Sequence, residues 1–200
     1  MLNVNELAIP KKIYERSYVI DLAGTITGET PQDWLVPCHH IVNPPAAPGQ
    51  ITRIKEVLKL EVPIQLRQFL ELSNGAKLYS LLGSSIARYE LFNTDEIINV
   101  NAELWENFRG LLGNDRDFKD VSRLNYLAFC DALDGNYIAI ILDGPHQGEI
   151  FFLLHELCYR PFSEDDLEFY PIIASSFANW LKLLIETKGS GGFGPTFVPW

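Results

Sequence analysis

Two groups of side chains in this 200-residue sequence could do chemistry, and the first is the run Cys38-His39-His40. Thiolate and imidazole groups are common ligands of transition metals. Neighbours in sequence point in different directions, so a zinc site would also need ligands from elsewhere, such as Asp33 or His155. The Cys/His spacing typical of zinc sites is missing. We therefore predict that no metal is bound and that Cys38 is a buried residue beside two turn histidines.

The second group is Asp131, Asp134 and Asp143, in loops that could lie near one another. Carboxylates on adjacent loops can bind Ca²⁺ or Mg²⁺. The sequence lacks the alternate acidic positions and the downstream glutamate of an EF-hand loop. The dipeptide Asp134-Gly135 is typical of a hairpin turn, and this explanation is favoured over a metal site.

Other catalytic signatures are missing from the sequence. Ser84-Ser85 and Ser175-Ser176 lack the Gly-x-Ser-x-Gly context of a hydrolase. The glycines between Gly189 and Gly194 follow a predicted helix and precede prolines, whereas a dinucleotide fingerprint follows a strand and opens a helix. We predict a protein without catalytic residues and without a cofactor.

The charge balance excludes some partners. The chain has 26 acidic and 16 basic residues, a formal net charge of -10, and no clustered lysines or arginines. Binding to nucleic acid or to an anionic membrane depends on such clusters, so neither is expected as a partner. Three cysteines without a Cys-x-x-Cys pair indicate a reducing compartment. No signal peptide or membrane-spanning apolar run is recognisable, which predicts a cytoplasmic protein.

Apolar spacing predicts the elements that must position these groups. Helical spacing links Ile51 to Leu58, and Pro63 is expected to open a second helix that ends at Asn74-Gly75. Thr94 is the predicted N-cap of a third helix, and Pro171 is expected to open the last one. The predicted strands of the main domain are 77–82, 86–92, 126–129, 137–142 and 149–154.

These elements predict an α+β fold, because helices precede and follow a meander of strands whose apolar runs suggest cover on both faces. We divide the chain into an N-terminal β appendage with a proline-rich connector at 1–48, an α+β domain at 49–188, and a glycine- and aromatic-rich tail at 189–200.

The order of several short motifs resembles the SUKH superfamily, which includes the yeast cell-wall-assembly-regulator family and many bacterial immunity proteins. The resemblance covers about residues 49–188. The motifs that carry it are Val62-Pro63 with Leu66, Phe69 and Leu70, Asn74-Gly75, Tyr89-Glu90-Leu91, Glu96-Ile97, Phe129, Asp134-Gly135-Asn136, Gly148-Glu149-Ile150-Phe151, and Ala174, Ser176, Phe177 and Leu181. A departure is Ala76, where the family often has a second glycine.

The resemblance implies a central mixed, mostly antiparallel sheet flanked by helices, and it implies binding without a shared active site. Bacterial members are often immunity proteins that neutralise a toxin, frequently a nuclease or a deaminase, and fungal members look like regulatory proteins. We therefore expect a protein-binding module, in first place an immunity protein against a toxin. The alternatives are a regulatory scaffold with another protein partner and a metal-dependent enzyme that uses Cys38, His39 and His40 or the aspartate loops.

Acidic loops are the predicted binding surface, because loops on a rigid scaffold tend to carry recognition and acids attract a basic partner. The predicted partner-binding residues are Asp131, Asp134, Asp143, Glu164, Asp165 and Asp166.

Overall fold

The computed structural model describes residues 12–16, 18–20, 26–29, 35–81, 89–112, 123–132, 135–154, 161–163, 167 and 170–187. Side chains before His40, and those of residues 81, 111 and 112, are outside this description. The predicted tail at 189–200 lies outside the described residues as well.

The described strands form one large sheet and one small ribbon. The strands are β1 (Lys12–Arg16), β2 (Tyr18–Ile20), β3 (Ile26–Glu29), β4 (Leu35–Val42), β5 (Ala76–Leu81), β6 (Tyr89–Leu91), β7 (Tyr126–Asp131), β8 (Tyr137–Ile141), β9 (Ile150–Leu153) and β10 (Ile172–Ala174). Eight of them pair in the order β1-β4-β5-β6-β7-β8-β9-β10, and β2 pairs with β3. Every pairing among them is antiparallel.

The helices are α1 (Pro48–Leu58), α2 (Ile64–Leu72), α3 (Thr94–Leu112) and α4 (Phe177–Glu186). The α+β prediction is thereby confirmed. Strands β4 and β5 are hydrogen-bonded neighbours, so the segment predicted as an N-terminal appendage contributes to the same sheet as the main domain.

Both faces of the meander are buried, as its continuous apolar runs predicted. On β7, Leu127 and Phe129 belong to one hydrophobic core, while Tyr126 and Ala128 belong to a second. Strand side chains alternate between faces, so the two cores lie on opposite sides of the sheet. Helices α1, α2 and α4 cover the first core, in which Trp180 of α4 is fully buried.

Helix α3 contributes to both cores because it passes the sheet where β6 ends. Ile97 belongs to the first core, whereas Leu104 and Phe108 belong to the second. Between them, the buried Asn101 side chain bonds the backbone of Ala128 on β7 twice. Its Nδ2 donates to the Ala128 carbonyl and its Oδ1 accepts from the Ala128 N–H, each at 2.8 Å.

Asn101 therefore provides the hydrogen bonds that a neighbouring strand would otherwise make to Ala128 of β7. The bonds between β6 and β7 end where the Phe92 N–H donates to the Phe129 carbonyl, one residue short of Ala128. Buried backbone groups need partners, and a side-chain amide supplies a donor and an acceptor together.

The start of α3 differs from the prediction by one residue. Asn93, and not Thr94, caps the helix, since its Oδ1 accepts from the N–H groups of Asp95 and Glu96 at 2.9 Å each. The Glu96 carboxylate in turn accepts from the Asn93 N–H at 2.8 Å. This reciprocal pair is a capping box. The sequence did not reveal it, because Asn93 and Thr94 are adjacent and both are common N-cap residues.

Helix α4 begins later than predicted, so the prediction that Pro171 opens it is wrong. Ile172–Ala174 form β10, which pairs with β9, and the helix starts at Phe177. The Ser176 side chain accepts from the Asn179 N–H at 3.2 Å and acts as the N-cap. A serine cap directly before the apolar stripe is the stronger start signal.

Helix α1 ends on a residue in an unfavourable conformation. Lys59 has φ 55° and ψ 37°, the left-handed region, and its N–H donates to the Lys55 carbonyl at 2.9 Å. Glycine is the usual residue at such a cap, because a side chain costs roughly 1 kcal/mol there.

We expect Lys59→Gly to raise the free energy of unfolding by about 0.5–1 kcal/mol, since relief of the backbone strain exceeds the added chain entropy of glycine. Urea denaturation measures this. Lys182→Gly in the interior of α4 is the matched control, and it should be destabilising by about 1 kcal/mol. A loss of stability on Lys59→Gly would contradict the interpretation that the backbone of Lys59 is strained.

Candidate partner-binding surfaces

Asp131 ends β7 in a row of half-buried charged residues that crosses three strands. Lys77 on β5 lies opposite Glu90 on β6, and Glu90 lies opposite Asp131. The Lys77 ammonium and the Glu90 carboxylate are 2.7 Å apart. Two acids placed opposite each other repel, so Lys77 offsets part of that repulsion.

The surroundings of the thiol next to this row disfavour its ionisation. Cys130 is buried, and burial raises the pKa of its thiol well above the usual range, with the carboxylates of Asp131 and Glu90 raising it further. Only the thiolate is a good nucleophile or metal ligand. Cys130 therefore lies in the first hydrophobic core as a buried thiol.

Asp143 follows β8 and has a basic neighbour. Its carboxylate lies 3.5 Å from the Arg123 guanidinium, and both side chains are about half exposed. Nearby, His146 and Glu149 are 2.7 Å apart. The Asn125 side chain holds the backbone of Phe162 at this end, with bonds of 2.7 Å to its carbonyl and 2.6 Å from its N–H.

Asp131 and Asp143, which the sequence allowed to lie near each other, are at opposite ends of a hairpin. In the β7–β8 hairpin, Asp131 pairs with Tyr137 at one end, whereas Tyr126 pairs with Ile141 at the other. Asp143 lies just beyond Ile141, the last residue of β8, whereas Asp131 pairs with the first residue of that strand. The length of β8, at about 3.3 Å per residue, therefore separates the two aspartates. Both cannot ligate one ion. The remaining predicted residues, Asp134, Glu164, Asp165 and Asp166, lie outside the described residues.

The histidine of the Cys-His-His run that the structure describes has a structural contact. The Tyr79 N–H donates to His40 Nδ1 at 3.0 Å, and the two rings meet edge to face at 4.6 Å. Cys38, His39 and His40 all lie on strand β4, so the prediction of two turn histidines is wrong. The side chains of Cys38 and His39 are outside the description. Among the described residues, no three His, Cys, Asp or Glu side chains are placed to hold a metal ion.

A groove not predicted from the sequence lies where α1, α3 and the start of β7 meet. It encloses about 280 Å³ and has a mostly apolar lining. Its apolar walls are formed by Val57, Leu58, Leu60, Ala102, Trp105 and Leu124. Lys59 and Arg123 also line it, so the groove combines apolar walls with two cations. In the sequence, Trp105 is spaced with Leu104 and Phe108 as part of the apolar face of a helix, which does not indicate a groove.

The comparison with family models decides the relationship. The SMI1 / KNR4 family (SUKH-1) matches residues 45–183, which is more than half of the chain. The chain belongs to this family.

Membership in the SMI1 / KNR4 family confirms the resemblance drawn from the motifs. This SUKH family includes immunity proteins, is generally non-catalytic, and acts through protein–protein interaction. The comparison with curated proteins found no matching relative. In the described part of the chain, no helix is both long and apolar enough to cross a membrane.

Proposed function

We propose that this protein is a non-catalytic binding module in the cytoplasm, and that it acts as an immunity protein that neutralises a toxin by stoichiometric binding. Family membership is the observation that carries the proposal, because the family includes immunity proteins. A nuclease or a deaminase is the proposed class of toxin.

Charge supports a basic partner. The net charge is -10, and Glu164, Asp165, Asp166 and Glu168 add an acidic run between β9 and β10. Complementary charge accelerates association of two proteins, and salt weakens this effect. A basic nuclease fits such a surface better than an acidic protein would.

The separation of Asp131 from Asp143 divides the proposed acidic residues into two testable groups. Asp131 is the last residue of β7, and Asp134 follows it in the sequence before β8 begins. Asp143 lies at the opposite end of that hairpin. Glu164, Asp165 and Asp166 are assigned to the second group from their place in the sequence, directly after the segment that Asn125 holds.

The test is co-expression with the product of the adjacent gene, followed by growth and pull-down assays. We expect rescue of growth by the parent protein. Asp134→Lys tests the first group, and the triple change Asp143→Lys, Glu164→Lys and Asp166→Lys tests the second. Reversal of the group that binds should slow association at low salt by about tenfold or more. Glu186→Lys, an exposed reversal on α4, is the matched control and should have no effect.

Two results would contradict the proposal in different ways. Rescue and association rates that survive both sets of reversals would remove the acidic loops as the binding surface. Failure to bind any neighbouring product would contradict the immunity role and favour the alternative, a regulatory scaffold with a non-toxin partner.

A further inference from the structure

We infer that the groove between α1, α3 and the start of β7 is a second docking site, and that its occupant is an acidic segment of a partner protein that inserts a large apolar side chain. This groove adjoins the second group of acidic residues, because Arg123 lines it and also contacts Asp143. The inference does not depend on whether the protein is an immunity protein.

The walls of the groove expose apolar surface that the fold does not use fully. Val57 at the end of α1 is 47% exposed, and Trp105 on α3 is half-buried with its ring 5.6 Å from Phe108. Ligand pockets for whole cofactors or drug-sized molecules are about 300–1,000 Å³. At about 280 Å³ this groove suits one or two side chains. Partly exposed aromatic residues beside a pocket are frequent anchors of protein interfaces.

The charges of the groove select an acidic occupant. Lys59 is exposed and makes no ion pair among the described residues, and Arg123 has only the 3.5 Å contact with Asp143. The one acid in the lining, Glu106, already has Arg109 at 3.1 Å. The net charge of the chain is -10, yet this groove is lined by two cations, of which Lys59 has no ion pair among the described residues. Carboxylates that flank an apolar side chain complement them.

The left-handed backbone conformation of Lys59 also bears on the groove. The residue is held at φ 55°, where glycine would cost less. Backbone strain in folded proteins is concentrated at binding and catalytic sites. Lys59 lines the groove from this position at the end of α1, and glycine there would supply no charge.

The test uses acetylated, amidated hexapeptides as probes. The first has the sequence Glu-Asp-Leu-Phe-Glu-Asp, a second replaces its acids with Gln and Asn, and a third replaces Leu-Phe with Ser-Ser. The readout is the indole N–H signal of Trp105 in a ¹H–¹⁵N spectrum of the full chain, assigned with Trp105→Phe. We expect the first peptide to shift this signal and the other two to bind at least about tenfold more weakly.

Variants localise the effect. Lys59→Glu keeps the same backbone demand and should weaken binding of the first peptide by about tenfold or more, and Val57→Asp should do the same. Lys182→Glu on α4 reverses an exposed charge outside the groove lining and should leave binding unchanged. Far-UV circular dichroism checks that each variant is folded.

Three outcomes would overturn the inference. The first is no shift of the Trp105 signal with any peptide at millimolar concentration. The second is equal binding of the acidic and the neutral peptide, or equal binding by Lys59→Glu. The third is a shift that depends on protein concentration without peptide, which would assign the groove to a second copy of this chain.

Discussion

Replacing Asn101 with leucine is expected to lower the free energy of unfolding by about 3 kcal/mol or more. Leucine has the same branching and the same number of side-chain heavy atoms but cannot hydrogen-bond, so the N–H and carbonyl of the fully buried Ala128 would both lose the partner that Asn101 supplies. Each buried polar group left without a partner costs about 1–3 kcal/mol. Urea denaturation of both proteins, followed by fluorescence, measures the difference.

Asn99 is a matched control on the same helix. It is exposed, so Asn99→Leu should change the free energy of unfolding by less than about 0.5 kcal/mol. If Asn101→Leu also cost less than about 1 kcal/mol, the side chain would not be the partner of β7, and the account of how α3 passes the sheet would be wrong.

A second large effect is expected at Gly75, where α2 is followed by β5. Gly75 has φ 85°, and a Cβ there would lie 2.8 Å from both the Asn93 nitrogen and the Leu91 carbonyl oxygen. Those backbone atoms belong to β6 and to the cap of α3, so they cannot move cheaply. We expect Gly75→Ala to lower the free energy of unfolding by about 3 kcal/mol or more, since a steric clash is added to the cost of positive φ.

Gly144 separates the two contributions to that loss. It has a nearly equal φ of 87°, but no atom lies within 4 Å of the position of its Cβ. Gly144→Ala should therefore show only the backbone cost of about 1–2 kcal/mol. Equal losses for the two variants would contradict the close approach of Gly75 to β6.

The junction around Gly75 also shows which properties of the motif residues could be predicted from the sequence. Asn74-Gly75 correctly predicted a glycine at positive φ after α2, but the helix ends earlier, with Ser73 in an extended conformation as its C-cap. The partners of Asn74 were not predictable, because they come from separate segments. Its Oδ1 accepts from the Thr94 N–H at 2.9 Å, while its carbonyl accepts from the Asn43 side chain at 2.8 Å. Such contacts depend on the path of the chain and leave no local pattern.

Strands and helices with strong periodicity were predicted well, whereas element starts and long-range contacts were not. The runs 137–142 and 149–154 are strands because both faces are covered, which a continuous apolar run indicates. Asn101 looked like an ordinary helical asparagine. It can bond Ala128 of β7 only because β6 ends at Leu91. The sequence does not reveal where that strand ends.

The candidate surfaces show the same division. Composition and turn residues indicated acidic loops, but only strand register places Asp131 and Asp143 at opposite ends of a hairpin. The groove is built from α1, α3 and β7, which are far apart in the sequence. Val57 and Trp105 each resemble a helix residue of the core. Their joint exposure follows from the packing of α1 against α3.

Recovery of the partner from its complex tests the central claim, binding without chemical modification, most directly. The complex with the co-expressed toxin would be separated in denaturant, and the intact mass and refolded activity of the toxin measured. The proposed function predicts an unchanged mass, a 1:1 complex before separation, and full return of toxin activity. A covalent mass change, or activity that does not return under conditions in which toxin alone refolds, would contradict it and favour an enzyme.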